Sequence, residues 1–245
     1  MSRMRIVLVS LMFLALVATM GCGSGNDTEI AALTARVDTL EKQIRAVQTS
    51  GGSQGLEEEA KSAFAGVQAL IASGKLDEAK AKLASYGTKY NSTRVGRNFT
   101  TLSRELAVVG KDAPQDWAIE KWYQGQDRID LASNDTTVVV FWETWCPHCR
   151  KEVPKLQQMY AEFKDDGLQV IGVTRLTKSS TDQTVQDFLT QNPVDYPMAK
   201  VNGSLGNFFS IGGIPAAAVV KDGKVVWRGH PVRISDKMLK DWLAS

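Results

Sequence analysis

The spacing of apolar residues changes character several times along the chain, and each change predicts a different element. Ile6 to Met20 form an apolar run, preceded by Arg3 and Arg5 and closed by Gly21-Cys22. The run is too short to span a bilayer, and its basic start and small-residue end predict a secretory signal over residues 1–21. A seven-residue repeat follows a short tether at 22–29. Ile30, Val37 and Ile44 fall at position a, and Leu33, Leu40 and Val47 fall at d. β-branched residues at a with mainly Leu at d favour a parallel two-stranded coiled coil over residues 30–48, in which Arg36 at g faces Glu41 at the partner's next e. At about 27 Å of helix the zipper is marginal alone. Tethering on a membrane would help by concentrating the partners. The alternative is a solitary amphipathic helix packed on the rest of the chain. Ser50-Gly51-Gly52-Ser53-Gln54-Gly55 then predicts a flexible linker over 49–55.

Helical spacing resumes beyond it. Leu56, Ala60, Ala63, Phe64, Val67, Leu70 and Ile71 mark one face, and Gly74 ends it. Leu76, Ala79, Leu83, Tyr86 and Tyr90 mark a second helix, and Val95, Phe99, Leu102 and Leu106 a third near Arg94 to Val108. The Ser73-Gly74-Lys75-Leu76-Asp77-Glu78-Ala79 junction is similar to the turn of a tetratricopeptide helix pair. With fewer than three repeats, residues 56–109 are expected to form a spacer or docking hairpin rather than a solenoid. From Gly110 strands and helices alternate, as in an α/β domain spanning 110–245. The expected elements are a buried central strand at Val138 to Trp142 and a helix at Pro147 to Lys164, kinked near Pro154. Beyond these come a strand at Leu168 to Thr174 and a crossover helix at Thr181 to Gln191. Ala216 to Val220, the Asp222-Gly223 turn and Lys224 to Arg228 read as a hairpin, and a helix at Ser235 to Leu243 ends the pattern.

Charge changes this picture little. The net charge of +2 on 245 residues is spread without a basic block, which gives nucleic-acid binding no support. The cysteines change it more, because there are three: Cys22, Cys146 and Cys149. The last two form Cys146-Pro147-His148-Cys149 at the end of the predicted central strand. Pro147 suits the first helical position, where its missing N–H loses no partner. Cys146 therefore sits at a helix N-terminus, where free N–H groups and the macrodipole favour a thiolate. This assigns Cys146 as a solvent-facing nucleophile and Cys149, one turn further in, as the resolving thiol. Half a zinc site is disfavoured, since His148 and His230 are the only histidines and no second ligand pair is spaced for zinc. A purely structural disulfide would close almost no loop. No cofactor or metal is called for.

Val138-Val139-Val140-Phe141-Trp142-Glu143-Thr144-Trp145-Cys146-Pro147-His148-Cys149-Arg150-Lys151-Glu152-Val153-Pro154 resembles the active-site segment of the TlpA/ResA group of thioredoxin-fold proteins. Val109-Gly110-Lys111-Asp112-Ala113-Pro114 resembles the group's lead-in, and Ile211-Gly212-Gly213-Ile214-Pro215 its cis-proline loop. The resemblance runs from about Val109 to the C-terminus and implies a thioredoxin-like α/β domain behind an all-α extension. It also implies that Glu152 takes part in proton transfer or pKa control at the cysteines. A cis bond before Pro215 would let the Ile214 backbone pair with an extended substrate. Ala216 stands where the group usually has Thr. Trp142 is expected in the core, and Trp145 on the surface that meets substrate with Pro147. Glu143 is a weaker candidate for a role like that of Glu152. Thr174, Arg175 and Asn207 are candidates for the site's border. His148, when protonated, would favour the thiolate. Pro147-His148 also matches the dipeptide of the DsbA oxidases.

Gly21-Cys22 resembles a bacterial lipoprotein signal with Cys22 as the acylated residue, although Thr19 stands where an aliphatic residue is usual. The reading is an envelope-anchored thiol–disulfide oxidoreductase on the periplasmic side, a reductase rather than an oxidase. Its partners would be protein thiols or disulfides, an upstream redox partner, the membrane and a second copy through 30–48. The alternatives are a non-enzymatic lipoprotein scaffold or redox sensor, and a thiol peroxidase.

Overall fold

The computed structural model describes residues 27–133 and 135–244. The expected signal and Cys22 lie outside them. The chain divides into two compact units, Met1–Leu56 and Glu57–Ser245.

Helix α1 runs unbroken over Asp27–Ala72. It passes through 50–55, so the expected flexible linker is helical instead. Nothing in that stretch forbids a helix: it lacks proline, and every residue keeps its amide donor. Each glycine costs about 1 kcal/mol relative to alanine. Cooperative propagation from the strong helix formers on either side offsets that cost. Within the first unit Ile30, Leu33, Val37, Leu40 and Ile44 are all exposed.

In the second unit, α1 ends at Ala72, and Gly74 just beyond it takes a φ of 76° that suits the left-handed turn. Helices α2 (Leu76–Tyr86) and α3 (Gly96–Leu106) follow. Phe99 is the hub of this region, with its ring 5.1–5.6 Å from those of Phe64, Tyr86 and Tyr90. The helices are not a detached spacer. Glu105 of α3 pairs with Arg233 at 2.6 Å, and Lys80 of α2 donates to the Val109 carbonyl at 2.9 Å.

The sheet has six strands: β1 (Ile119–Gln124), β2 (Thr137–Phe141), β3 (Gln169–Thr174), β4 (Met198–Val201), β5 (Ala216–Lys221) and β6 (Lys224–Gly229). Their order is β1-β4-β3-β2-β5-β6. β2, β3 and β4 are parallel, while β1, β5 and β6 pair antiparallel to their neighbours. Helices α4 (Pro147–Phe163), α5 (Asp182–Gln191), α6 (Gly203–Phe208) and α7 (Asp236–Leu243) complete a thioredoxin-like fold. Every residue of β2 is buried. Val138 and Val140 pack with Val153, Phe163 and Phe188 in one core. Val139 and Phe141 face the opposite way, toward Trp117, Leu205 and Phe209. Strands β1 and β4 and helix α6 had no clear sequence signal, since β4 has four residues, α6 has six and β1 carries Glu120 and Lys121 at a sheet edge.

The segment before β1 latches onto β6. Gly110 N donates to Val225 O and Val225 N to Lys111 O, at 2.7 and 2.8 Å. Ala113 N donates to Gly223 O at 2.7 Å, and Lys224 pairs with Asp112 at 2.6 Å.

Candidate active site

β2 delivers the chain to the start of α4, where Cys146 is the N-cap and Pro147 the first helical residue. The Cys149 amide donates to Cys146 Sγ at 3.2 Å, and that thiol lies 3.7 Å from the Ile214 carbonyl. An N–H aimed at sulfur from the first turn is the geometry that stabilises a thiolate. Both cysteines are free thiols. Cys146 is 3% exposed and Cys149 wholly buried. Cys146 is thus less open than its helix-start position suggested, because the Ile214–Pro215 loop lies against it. The Ile214–Pro215 bond is cis. Burial pushes the Cys149 pKa far up, its hydrogen bond to Cys146 adds to this, and the Glu143 backbone opposes both. Cys149 therefore waits as a thiol.

Glu143 is buried. It accepts from Thr174 Oγ1 at 3.1 Å, and from the Arg175 amide, the Thr177 amide and Thr177 Oγ1, each at 3.2 Å. Leu176 and Lys178 sit at φ of 56° and 53°, a strained region for side-chain-bearing residues. The carboxylate acts as a template for this strap. Thr177 Oγ1 accepts from Trp145 Nε1 at 3.2 Å, and Lys178 Nζ stands 3.5 Å above the Trp145 ring. Trp145 is half-buried and Trp142 is core. Phe141, Trp145, Val173, Ile211 and Ile214 line a cavity of about 420 Å³ beside the strap, with Arg175 among its walls. Arg175 lies in the cavity's walls, whereas Thr174 is buried behind Glu143 and is not among them. Asn207 is exposed on α6 and is not among the cavity's walls.

On the other side of α4, His148 is exposed and Glu152 pairs with Lys155 at 2.9 Å. Glu152 also acts electrostatically on His230, which the sequence did not mark as a site residue. His230 follows β6, 82 positions after His148, so no local spacing could have linked them. Burial lowers the His230 pKa, Arg233 and His148 lower it further, and Glu152 and Glu105 oppose. Thr144 Oγ1 is engaged by Ser180 at 2.8 Å and Thr184 at 3.1 Å, so it is not presented to Cys146 as a peroxide pocket would need. Among the described residues no cluster of three or more His, Cys, Asp or Glu could hold a metal.

With this geometry in place, the likenesses to known proteins are specific. The profile of the AhpC/TSA family matches residues 109–228. The thiol-disulfide oxidoreductase ResA of Bacillus cereus (strain ZK / E33L) is 30% identical over 125 residues, 50% of this chain and 70% of that protein. Sporulation thiol-disulfide oxidoreductase A of Bacillus subtilis (strain 168) is 25% identical over 123 residues, 50% of this chain and 74% of the relative. A solution structure of a thioredoxin-like protein in the oxidized form aligns with a TM-score of 0.48 at 17% identity, over 55% of this chain and 95% of that one.

Proposed function

We propose, from the premise that this chain belongs to the ResA family of thiol–disulfide oxidoreductases, that Cys146 and Cys149 reduce disulfides in protein substrates on the periplasmic side of the bacterial cell envelope. The observation that carries this reading is the asymmetry of the pair. Cys146 Sγ receives an N–H at the helix start beside Ile214, while Cys149 is sealed beneath it as a thiol.

The Cys146 thiolate attacks one sulfur of a substrate disulfide. A Cys146–substrate bond forms, the substrate S–S bond breaks, and the other substrate sulfur leaves and takes up a proton. Cys149 then gives up its proton and attacks Cys146 Sγ. The Cys146–Cys149 bond forms, and the second substrate thiol is released. Two electrons have passed to the substrate, and an upstream dithiol partner restores the site. The Ile214 backbone aligns an extended substrate segment, with Trp145, Pro147 and Pro215 forming its bed. Glu152 and His148 tune proton movement.

The reductive direction draws support from Cys149-Arg150-Lys151-Glu152, the stretch that resembles TlpA/ResA-like reductases. Titrating the Cys146–Cys149 couple by Trp145 emission against defined thiol buffers tests it. A potential near about −270 mV supports a reductant, and one near about −120 mV reverses the direction.

Lipid on Cys22 holds the protein in the envelope. Among the described residues no helix is long and apolar enough to cross a membrane. Residues 30–48 pair with a second copy through the exposed Ile30, Leu33, Val37, Leu40 and Ile44 stripe. Cys22→Ser should move the protein from the membrane fraction to the soluble one or leave an unprocessed precursor. A wild type that fractionates as soluble removes the anchor.

A further inference from the structure

The loop that carries the cis bond divides two hollows. The apolar one beside Trp145 belongs to the site already described. Behind the loop lies another, of about 220 Å³, whose walls include Arg104 and Glu105 of α3, Gly212 and Pro215 of the loop, and Arg228 and His230 at the end of β6. Three observations give it a sign. Arg228 is only 9% exposed, and its Nε and Nη1 donate to the Phe209 and Gly229 carbonyls at 3.1 Å each. Its charge meets no carboxylate within salt-bridge distance among the described residues. Arg104 likewise makes no ion pair or hydrogen bond among them, and its guanidinium lies against Gly212, where an added Cβ would come within 1.9 Å of Nη1. Among the described residues Glu105 is the one acidic group in the walls, and Arg233 already pairs with it at 2.6 Å. The hollow thus holds two guanidinium groups without a salt-bridge partner, one of them buried, where burial and the charges of Arg233 and Arg104 weigh against its charge and only Glu105 favours it.

We propose that this cavity receives a carboxylate side chain of the polypeptide substrate, an Asp or Glu flanking the cysteine that reacts with Cys146. The inference rests on the thiol–disulfide reading and adds a preference to it. Size argues for a side chain, since 220 Å³ is below the usual range of about 300–1,000 Å³ for small-molecule sites. Position argues for a substrate residue. Gly213 borders both hollows, and Ile214, which meets Cys146 Sγ, is followed by the Pro215 that walls this one. A segment laid along that loop with its sulfur at Cys146 would present a neighbouring side chain to Arg104 and Arg228. Arginine suits the task, because its planar fork holds a carboxylate through two parallel hydrogen bonds. The helical extension thereby becomes part of substrate choice, since α3 supplies Arg104.

The test uses the full chain and two disulfide-linked peptides identical except for Glu or Gln beside the cysteine. The Glu peptide should show about tenfold higher kcat/KM at low salt, an advantage that shrinks as salt rises. Arg104→Glu, an exposed and therefore tolerant substitution, should cancel or invert the ratio, and Arg104→Lys should keep part of it. Equal rates for both peptides overturn the inference while leaving the exchange activity intact. Exchange with neither peptide overturns the thiol–disulfide reading itself. Inhibition of both alike by inorganic phosphate, with no preference between them, reassigns the cavity to a free anion.

Discussion

Glu143 and Thr177 are bound to each other through both the amide and the hydroxyl of the threonine, at 3.2 Å each. The pair fixes a strap whose other contacts reach Trp145. Replacing the carboxylate with an amide removes the charge that these donors share and leaves one acceptor oxygen where there were two. Glu143→Gln should cost about 1–3 kcal/mol, read as a lower urea midpoint, and should shift Trp145 emission as the indole loses its fixed partner. An unchanged midpoint together with unchanged emission would mean that the strap holds itself.

The two cysteines should differ sharply in reactivity. Alkylation of the reduced protein at mildly acidic pH should modify Cys146 well before Cys149, as peptide mass mapping over time would show. Cys146→Ser should abolish exchange, whereas Cys149→Ser should accumulate mixed disulfides with substrates. Equal modification of both thiols sinks the assignment.

His230 should give the fold an acid-sensitive component. Burial, Arg233 and His148 hold its folded pKa below the ordinary 6.5, against Glu152 and Glu105. An unfolded chain therefore takes up a proton at a higher pH than the folded one. The stability contributed is present above about pH 6.5 and is lost as pH falls through the lower, folded value. Denaturation midpoints compared between about pH 7.5 and pH 5 should fall less in His230→Gln than in the wild type. Glu152→Gln removes an opposing charge and should drive the imidazole titration, followed by NMR, lower still. An imidazole that titrates identically in both proteins would show Glu152 to be electrostatically idle there.

The apolar stripe of α1 should decide the oligomeric state. Sedimentation of the full chain should give a dimer, and Leu40→Asp, at a d position, should give a monomer with its exchange rate retained. A wild-type monomer at micromolar concentration would refute pairing through residues 30–48.

Much of this was legible in the sequence because the signals were local. The run Val138-Val139-Val140-Phe141 has the unbroken apolar character of a strand covered on both faces, and the Cys-Pro-His-Cys turn carries its own helix start. Thr181 and Ser235, where two expected helices began, prove to be N-caps of α5 and α7. What stayed hidden depended on distance. Arg104 on α3 and the pair Arg228 and His230 at the end of β6 are more than 120 residues apart and share a hollow only after folding. The partners of Glu143 lie 31–34 residues downstream in the strap, beyond the reach of any local spacing. The Gly-Ser stretch at 50–55 misled for the opposite reason: composition speaks for isolated peptides, and flanking helix overrode it.

The latch between the 110–113 segment and β6 bears on how this protein behaves when crowded. β6 is the last strand of the sheet, and an open margin of that kind templates pairing with other chains. Here the chain's own connecting segment occupies part of it, through Gly110, Lys111 and Ala113. A fragment cut just after Ala113 would keep both cysteines and all six strands, yet it would expose a ready seam for a neighbour. Minimal versions of the domain made for solution work should therefore begin ahead of Val109, or they will trade a catalytic monomer for a growing aggregate.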